Sequence, residues 1–151
     1  MEAKEQKWVI FRLGNEEYGV EIMQVDKIER MKPITRVPKT PAFVEGVINL
    51  RGEVIPVIDL RKRFDMPAKE VTDDTRVVVA LVDDLSVGLI VDEVTRVMSL
   101  PQDAIEPPPS LIGSVDVTYV RGVGKLDDQL LVLLDLAKVL ELHEVNQIKA
   151  M

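Results

Sequence analysis

The chain has 151 residues, 46% of them apolar, a formal charge of −7, one histidine and no cysteine. That size allows one domain or two very small ones with a substantial core, while the missing thiols exclude disulfides, thiolate nucleophiles, iron-sulfur clusters and cysteine-ligated zinc. The acidic balance disfavours phosphate-backbone binding, which needs clustered Lys and Arg. No apolar run nears the roughly 20 residues of a membrane span, and MEAKEQKW lacks a signal-peptide pattern, so a soluble cytoplasmic protein is expected.

After a tail at residues 1–6 comes WVIFRLGNEEYGVEIMQV, Trp8 to Val25. Val9, Phe11 and Leu13 alternate toward one face, Gly14-Asn15 supplies a tight turn, and Tyr18 to Ile22 returns antiparallel. In MQVDKIERM, Ile22, Val25 and Ile28 recur every three positions, which predicts a short helical turn with an apolar edge. ITRVP follows as a strand, then FVEGVINLRGEVIPVIDL as a hairpin whose tip carries Arg51, Gly52 and Glu53, then RKRF as a short helix. The basic run Arg61, Lys62, Arg63 reads as a solvated face. Residues 67–75 are a polar, exposed connector.

The second half repeats the first. VVVALVDDLSVGLIVDEV, Val77 to Val94, overlies the opening hairpin at an offset of 69, with Val9 and Val78, Gly19 and Gly88, and Val25 and Val94 identical. YVRGVGKLDDQLLVLLDL, Tyr119 to Leu136, overlies Phe43 to Leu60 at an offset of 76. The identities there are Val44 with Val120, Gly46 with Gly122, Val47 with Val123, Leu50 with Leu126, Asp59 with Asp135 and Leu60 with Leu136, and beyond them Lys62 with Lys138. The changed offset places an insertion around Glu106 to Thr118, where Pro107-Pro108-Pro109 reads as a rigid surface loop.

Two homologous units, about 7–66 and 76–142, therefore make up the chain, followed by a tail at 143–151. Each reads as five short strands with one late helix. The predicted class is all-β, two small closed barrels, because closure removes exposed edges. A barrel this small is marginal alone, so the two are expected to share a further apolar core, with a groove between them. Which strands close which barrel stays open, since barrels joined by a short connector can exchange strands.

Catalytic constellations find little support. His143 stands at the end of the last helix, and Ser86, Ser99, Ser110 and Ser114 lack a nucleophile-elbow context. RGVGKL has Tyr119 and Leu126 where a phosphate loop needs Gly and Ser or Thr. Asp59 and Asp135 could be paired carboxylates, but each ends a strand just before a short helix, which favours N-capping.

At LGNEEYGVEIMQVDKI, TRVPKTPAFVEGVINLRGEVIPVIDLR and VGLIVDEVTRVMSL the sequence resembles the CheW family of chemotaxis coupling proteins, over nearly the whole chain. The resemblance implies two SH3-like five-stranded barrels and an adaptor that joins the cytoplasmic tips of membrane chemoreceptors to the histidine kinase CheA, with no cofactor and no catalysis. It implies a receptor edge at Ile22, Val25 and Ile28, near Gly46 and Arg51, and kinase contacts at barrel ends, carried onto Glu106 and Leu111. Recruitment would bring the cytoplasmic protein to receptor clusters. Alternatives are the coupling domain of a CheV-type adaptor or, in another class, a small-barrel nucleic-acid binder, which the acidic charge and six aromatics disfavour.

Overall fold

The structure, a computed structural model, describes residues 5–39, 42–82, 84–108, 117–126 and 129–140. The opening hairpin is β1 (Glu5–Leu13) and β2 (Glu16–Glu21), followed by a 3-10 turn at Ile22–Gln24 and β3 (Val25–Arg30). Then come β4 (Val44–Leu50), β5 (Glu53–Asp59) and helix α1 (Leu60–Arg63). The second half runs β6 (Arg76–Val82), β7 (Leu85–Val91), β8 (Glu93–Pro101), a 3-10 turn at Gln102–Ala104, and β9 (Ile105–Glu106). It ends, within the described residues, with a 3-10 turn at Val117–Tyr119, β10 (Val120–Leu126), β11 (Gln129–Leu134) and α2 (Leu136–Val139). The expected strand ITRVP is reduced to one bridge, Thr35 with Val47.

The sheets do not follow the sequence repeats. One has the order β8-β1-β2-β11-β10-β9 and the other β3-β6-β7-β5-β4. Each unit thus lends its opening hairpin to the other's sheet, and parallel pairs make the splice, β2 with β11 and β5 with β7. A unit of about 60 consecutive residues is therefore not a barrel by itself. The exchange makes the two barrels mutually dependent, which answers the marginal stability of so small a unit.

Closure is visible at the sheet ends. Thr35, beyond the edge strand β3, exchanges both backbone hydrogen bonds with Val47 of the opposite edge strand, at 2.9 and 2.8 Å. In the larger sheet one passage of chain supplies both edges, β8 and, after a 3-10 turn, β9, which pairs Glu106 with Val123. Val47 and Val123 are repeat equivalents, and the preceding glycines mark the crossing. A Cβ on Gly46, at φ +148°, would lie 2.2 Å from the Thr35 carbonyl oxygen, and one on Gly122 would lie 2.7 Å from Ile105 Cγ2. At Gly46 a second backbone passes too close for a side chain, and at Gly122 the crossing strand's Ile105 methyl does, with the Glu106 carbonyl oxygen next at 3.0 Å.

Continuous apolar runs mark strands buried on both faces. In β1, Trp8 and Ile10 fill one barrel with Leu100, Leu131 and Leu133, while Val9, Phe11 and Leu13 face the other way into the seam between barrels. In β6, Val77 and Val79 join Ile48, Leu50, Ile55 and Val57 inside the second barrel, while Val78 and Ala80 face the seam. Among the described residues the seam gathers 22 buried side chains, against six and five in the barrels, so most apolar stabilisation lies between them. Stacked rings cross it from Phe11 to Tyr18 to Phe64, with Tyr119 tilted against Phe64. Five of the six aromatics are buried and Tyr119 is partly covered, which leaves little ring surface for stacking bases.

Candidate protein-docking surface

The short helical turn expected along Ile22, Val25 and Ile28 is present at its first residue and does not extend to the other two. Only Ile22–Gln24 makes a 3-10 turn, and Val25 and Ile28 lie on β3. An odd spacing on a strand normally points two residues to opposite faces. Here a bulge absorbs one residue: Val25 pairs with Ala80, Lys27 with Val79 and Ile28 with Val78, so Val25 and Ile28 share the face of Ala80 and Val78, toward the seam. Ile22 and Val25 pack partly against the seam core, whereas Ile28 stands at its rim, 41% exposed. The three-residue period was real, and its cause is a bulge instead of a helix.

Arg51 and Gly52 form the two-residue tip between β4 and β5, with φ of +53° and +87° and with Leu50 paired to Glu53. Asn49 Oδ1 accepts the Gly52 N–H at 2.9 Å. Such turns favour Asn-Gly, so arginine sits in a left-handed conformation that its side chain does not help to form. Val54, 64% exposed, is beside it. Gly46 is buried under Thr35, so its part in any contact runs through barrel closure. The edge and the tip stand at the two edges of one sheet, on β3 and on the β4–β5 hairpin, joined among the described residues by the Thr35–Val47 bridge.

Glu106 closes the other barrel on β9, and its carboxylate pairs with Lys125 at 3.3 Å, both partners more than half exposed. Leu111 and His143 lie outside the described residues.

The basic run is a solvated face only at Lys62, which is exposed, while Arg61 and Arg63 are half-buried. Its helix is one turn long and wedged at the seam, so three consecutive side chains fan into three anchors. Arg61 Nε and Nη2 donate to Asp92 Oδ1 and Oδ2 at 2.9 and 2.5 Å, and its Nη1 donates to the Pro67 carbonyl at 2.7 Å. Lys62 pairs with Glu45. Arg63 donates to the Val139 carbonyl at 2.8 Å while its guanidinium lies over Phe43 and Tyr119, 4.6 and 5.1 Å from the ring centres. Phe43 and Tyr119 are repeat equivalents, as are Arg63 and Val139, so Arg63 sits where the two halves of the duplication meet.

Asp92 is the buried acid that periodicity does not reveal: in the sequence it is one of two adjacent carboxylates, Asp92 and Glu93, that end the apolar run VGLIV. Burial pushes its carboxyl up, but the Arg61 hydrogen bonds, the Gly14 N–H at 2.8 Å and the charges of Arg61 and Lys69 outweigh burial and hold it below the ordinary value of 3.8. Asp59 goes the other way, raised chiefly by burial and further by Glu45, against the amides of Arg61 and Lys62.

Asp59 and Asp135 are N-caps, as expected. Asp59 Oδ1 accepts the Arg61 N–H at 2.9 Å and Asp135 Oδ1 the Ala137 N–H at 3.1 Å. Asp59→Ala and Asp135→Ala should each lower the unfolding free energy by about 1 kcal/mol in urea titrations. Asp59→Asn keeps a capping oxygen and removes a desolvated charge, so it should cost nothing; an equal loss in both Asp59 variants would refute the capping role.

Interlocked hairpins make this a double β-barrel with an apolar edge and a hairpin tip at its surface. The CheW-like domain family model matches residues 7–144. The chain belongs to the CheW-like domain family. It is 39% identical over 140 residues to the chemotaxis protein CheW of Klebsiella aerogenes, covering 93% of this chain and 84% of the relative. It is 38% identical to the CheW of Bacillus subtilis, covering 90% and 87%. Its fold is similar to the crystal structure of the scaffolding protein TtCheW from Thermoanaerobacter tengcongensis, with a TM-score of 0.85, 38% identity, and 93% and 91% of the two chains covered.

Proposed function

We propose that this chain is a non-catalytic chemotaxis adaptor that binds the cytoplasmic tips of membrane chemoreceptors and the regulatory domain of the histidine kinase CheA at once, in the cytoplasm at receptor clusters. The observation that carries this reading is the match of residues 7–144, in sequence and in fold, to CheW proteins. The receptor helix would lie along Ile22, Val25 and Ile28 and meet Arg51, with Gly46 holding the hairpin in place. An apolar edge of this shape suits the apolar face of an amphipathic helix. The kinase would meet a barrel end near Glu106 and Leu111.

Arg51 offers a clean test because its turn prefers other residues. Arg51→Asn suits the left-handed tip and should leave stability within about 0.5 kcal/mol of wild type. Titrated with a receptor cytoplasmic fragment, it should bind roughly tenfold more weakly, the loss of about 1.4 kcal/mol typical of a useful interfacial arginine. Val25→Asp, checked for folding, should weaken receptor binding further and spare the kinase. Wild-type receptor affinity in both folded variants would reject this surface.

A further inference from the structure

The chain passes twice between the opening hairpin of one barrel and the next strand of the other, and the two passages are repeat equivalents. β2 reaches β3 through Ile22–Gln24, and β7 reaches β8 through Asp92. At the offset of 69, Met23 stands for Asp92, Gln24 for Glu93 and Leu81 for Arg12; at the offset of 76, Ala137 stands for Arg61.

Only the β7–β8 passage is clamped. Asp92, 8% exposed, takes the bidentate Arg61 guanidinium and the Gly14 N–H on its carboxylate, and its own N–H donates to the Arg12 carbonyl at 3.0 Å. Glu93 adds a 3.0 Å ion pair to Arg12. At the other passage Met23 is 89% exposed, Leu81 49% and Ala137 exposed. The turn there has no side-chain cap and no buried residue, and it is held by the Val25 N–H to the Ile22 carbonyl and by partial packing of Ile22 and Val25. Glu21, paired with Arg121, anchors β2 up to the residue before it.

We propose that the β2–β3 passage is the moving part of this fold: Ile22–Gln24 lifts and reseats as a unit while the clamped β7–β8 passage stays fixed as its pivot. Local openings of this kind cost less than global unfolding where few contacts hold a segment. On the adaptor reading, which this second step rests on, the moving segment begins the receptor edge, so its opening governs admission of a receptor helix. The mobility itself does not depend on that reading.

Amide hydrogen exchange on the full chain tests it. After correction for intrinsic rates, residues 22–26 should exchange at least tenfold faster than residues 91–95. The duplication also says how to lock the passage: Met23→Asp with Ala137→Arg transplants the clamp to its equivalent place and should slow exchange at 22–26 about fivefold. Asp92→Asn should raise exchange at 91–95 toward that of 22–26. Equal protection of the two passages in the wild-type chain overturns the proposal, whatever the variants do. Receptor fragment binding separates the two readings: slow exchange with weakened binding in the locked chain supports both. Asymmetric exchange in a wild-type chain that binds no receptor fragment supports the moving passage and overturns the adaptor.

Discussion

Arg61→Ala should lower the unfolding free energy by about 3 kcal/mol, the lower end for breaking a buried ion pair by removing one partner, and the melting temperature by roughly 6–12 °C at this chain length. Arg61 and Asp92 are 12% and 8% exposed, so the abandoned carboxylate keeps little water. Lys69, 3.6 Å from Asp92, and the Gly14 N–H moderate the loss, which is why the lower end applies. The Asp92→Ala, Arg61→Ala double variant should cost less than the sum of the singles, because no charge is then left uncompensated. Additive losses would mean that the two groups act independently.

The same pair fixes a sign for acid unfolding. Asp92 has a folded carboxyl below its ordinary value, so its contribution is complete above about pH 3.8 and is lost as pH falls through the depressed folded value. Asp59, raised by burial, binds its proton more tightly when folded, so its ionisation costs stability as pH rises through the window above 3.8. Asp92→Asn should therefore flatten the low-pH loss of stability and Asp59→Asn should steepen it.

Gly46→Ala should be the other severe substitution, costing about 3 kcal/mol. Its Cβ would meet backbone, the Thr35 carbonyl oxygen and carbon at 2.2 and 2.8 Å, in a chain that already sits at φ +148°. Relief requires opening the Thr35–Val47 bridge that closes the barrel. Gly122→Ala meets first a side-chain methyl, Ile105 Cγ2 at 2.7 Å, and should cost about half as much. Chemical denaturation of the two variants side by side checks the order, and equal losses would contradict the bridge as the cause. Any loss of partner binding in Gly46→Ala follows from this damage.

The duplication made much of the fold legible before any coordinates. Gly46 and Gly122, Asp59 and Asp135, and the paired hairpin turns kept their equivalence because each meets the same demand twice: a close backbone crossing, a helix start, a tight reversal. Strand exchange was not legible, because β2 beside β11 and β5 beside β7 are long-range parallel pairings that leave no periodic trace. The bulge after Val25 imitated a helical period over three residues, a window too short to separate the two. Arg61 to Arg63 looked solvated because three consecutive charges on one turn usually are; here a helix of one turn is enclosed on several sides, and the cross-repeat partner Asp92 lies 31 positions from Arg61. Of the candidate site, Arg51 has Asp127 at its repeat position, so the shared architecture does not require it, and its left-handed turn separates its structural cost from its proposed contact role.

The most direct measurement is sedimentation of the wild-type chain mixed with a receptor cytoplasmic fragment and the CheA regulatory domain, at concentrations where each pair is also run alone. An adaptor with separate edge and barrel-end surfaces should give a ternary species carrying all three components. Binary complexes that compete and never combine, or no binding to either partner, would contradict it.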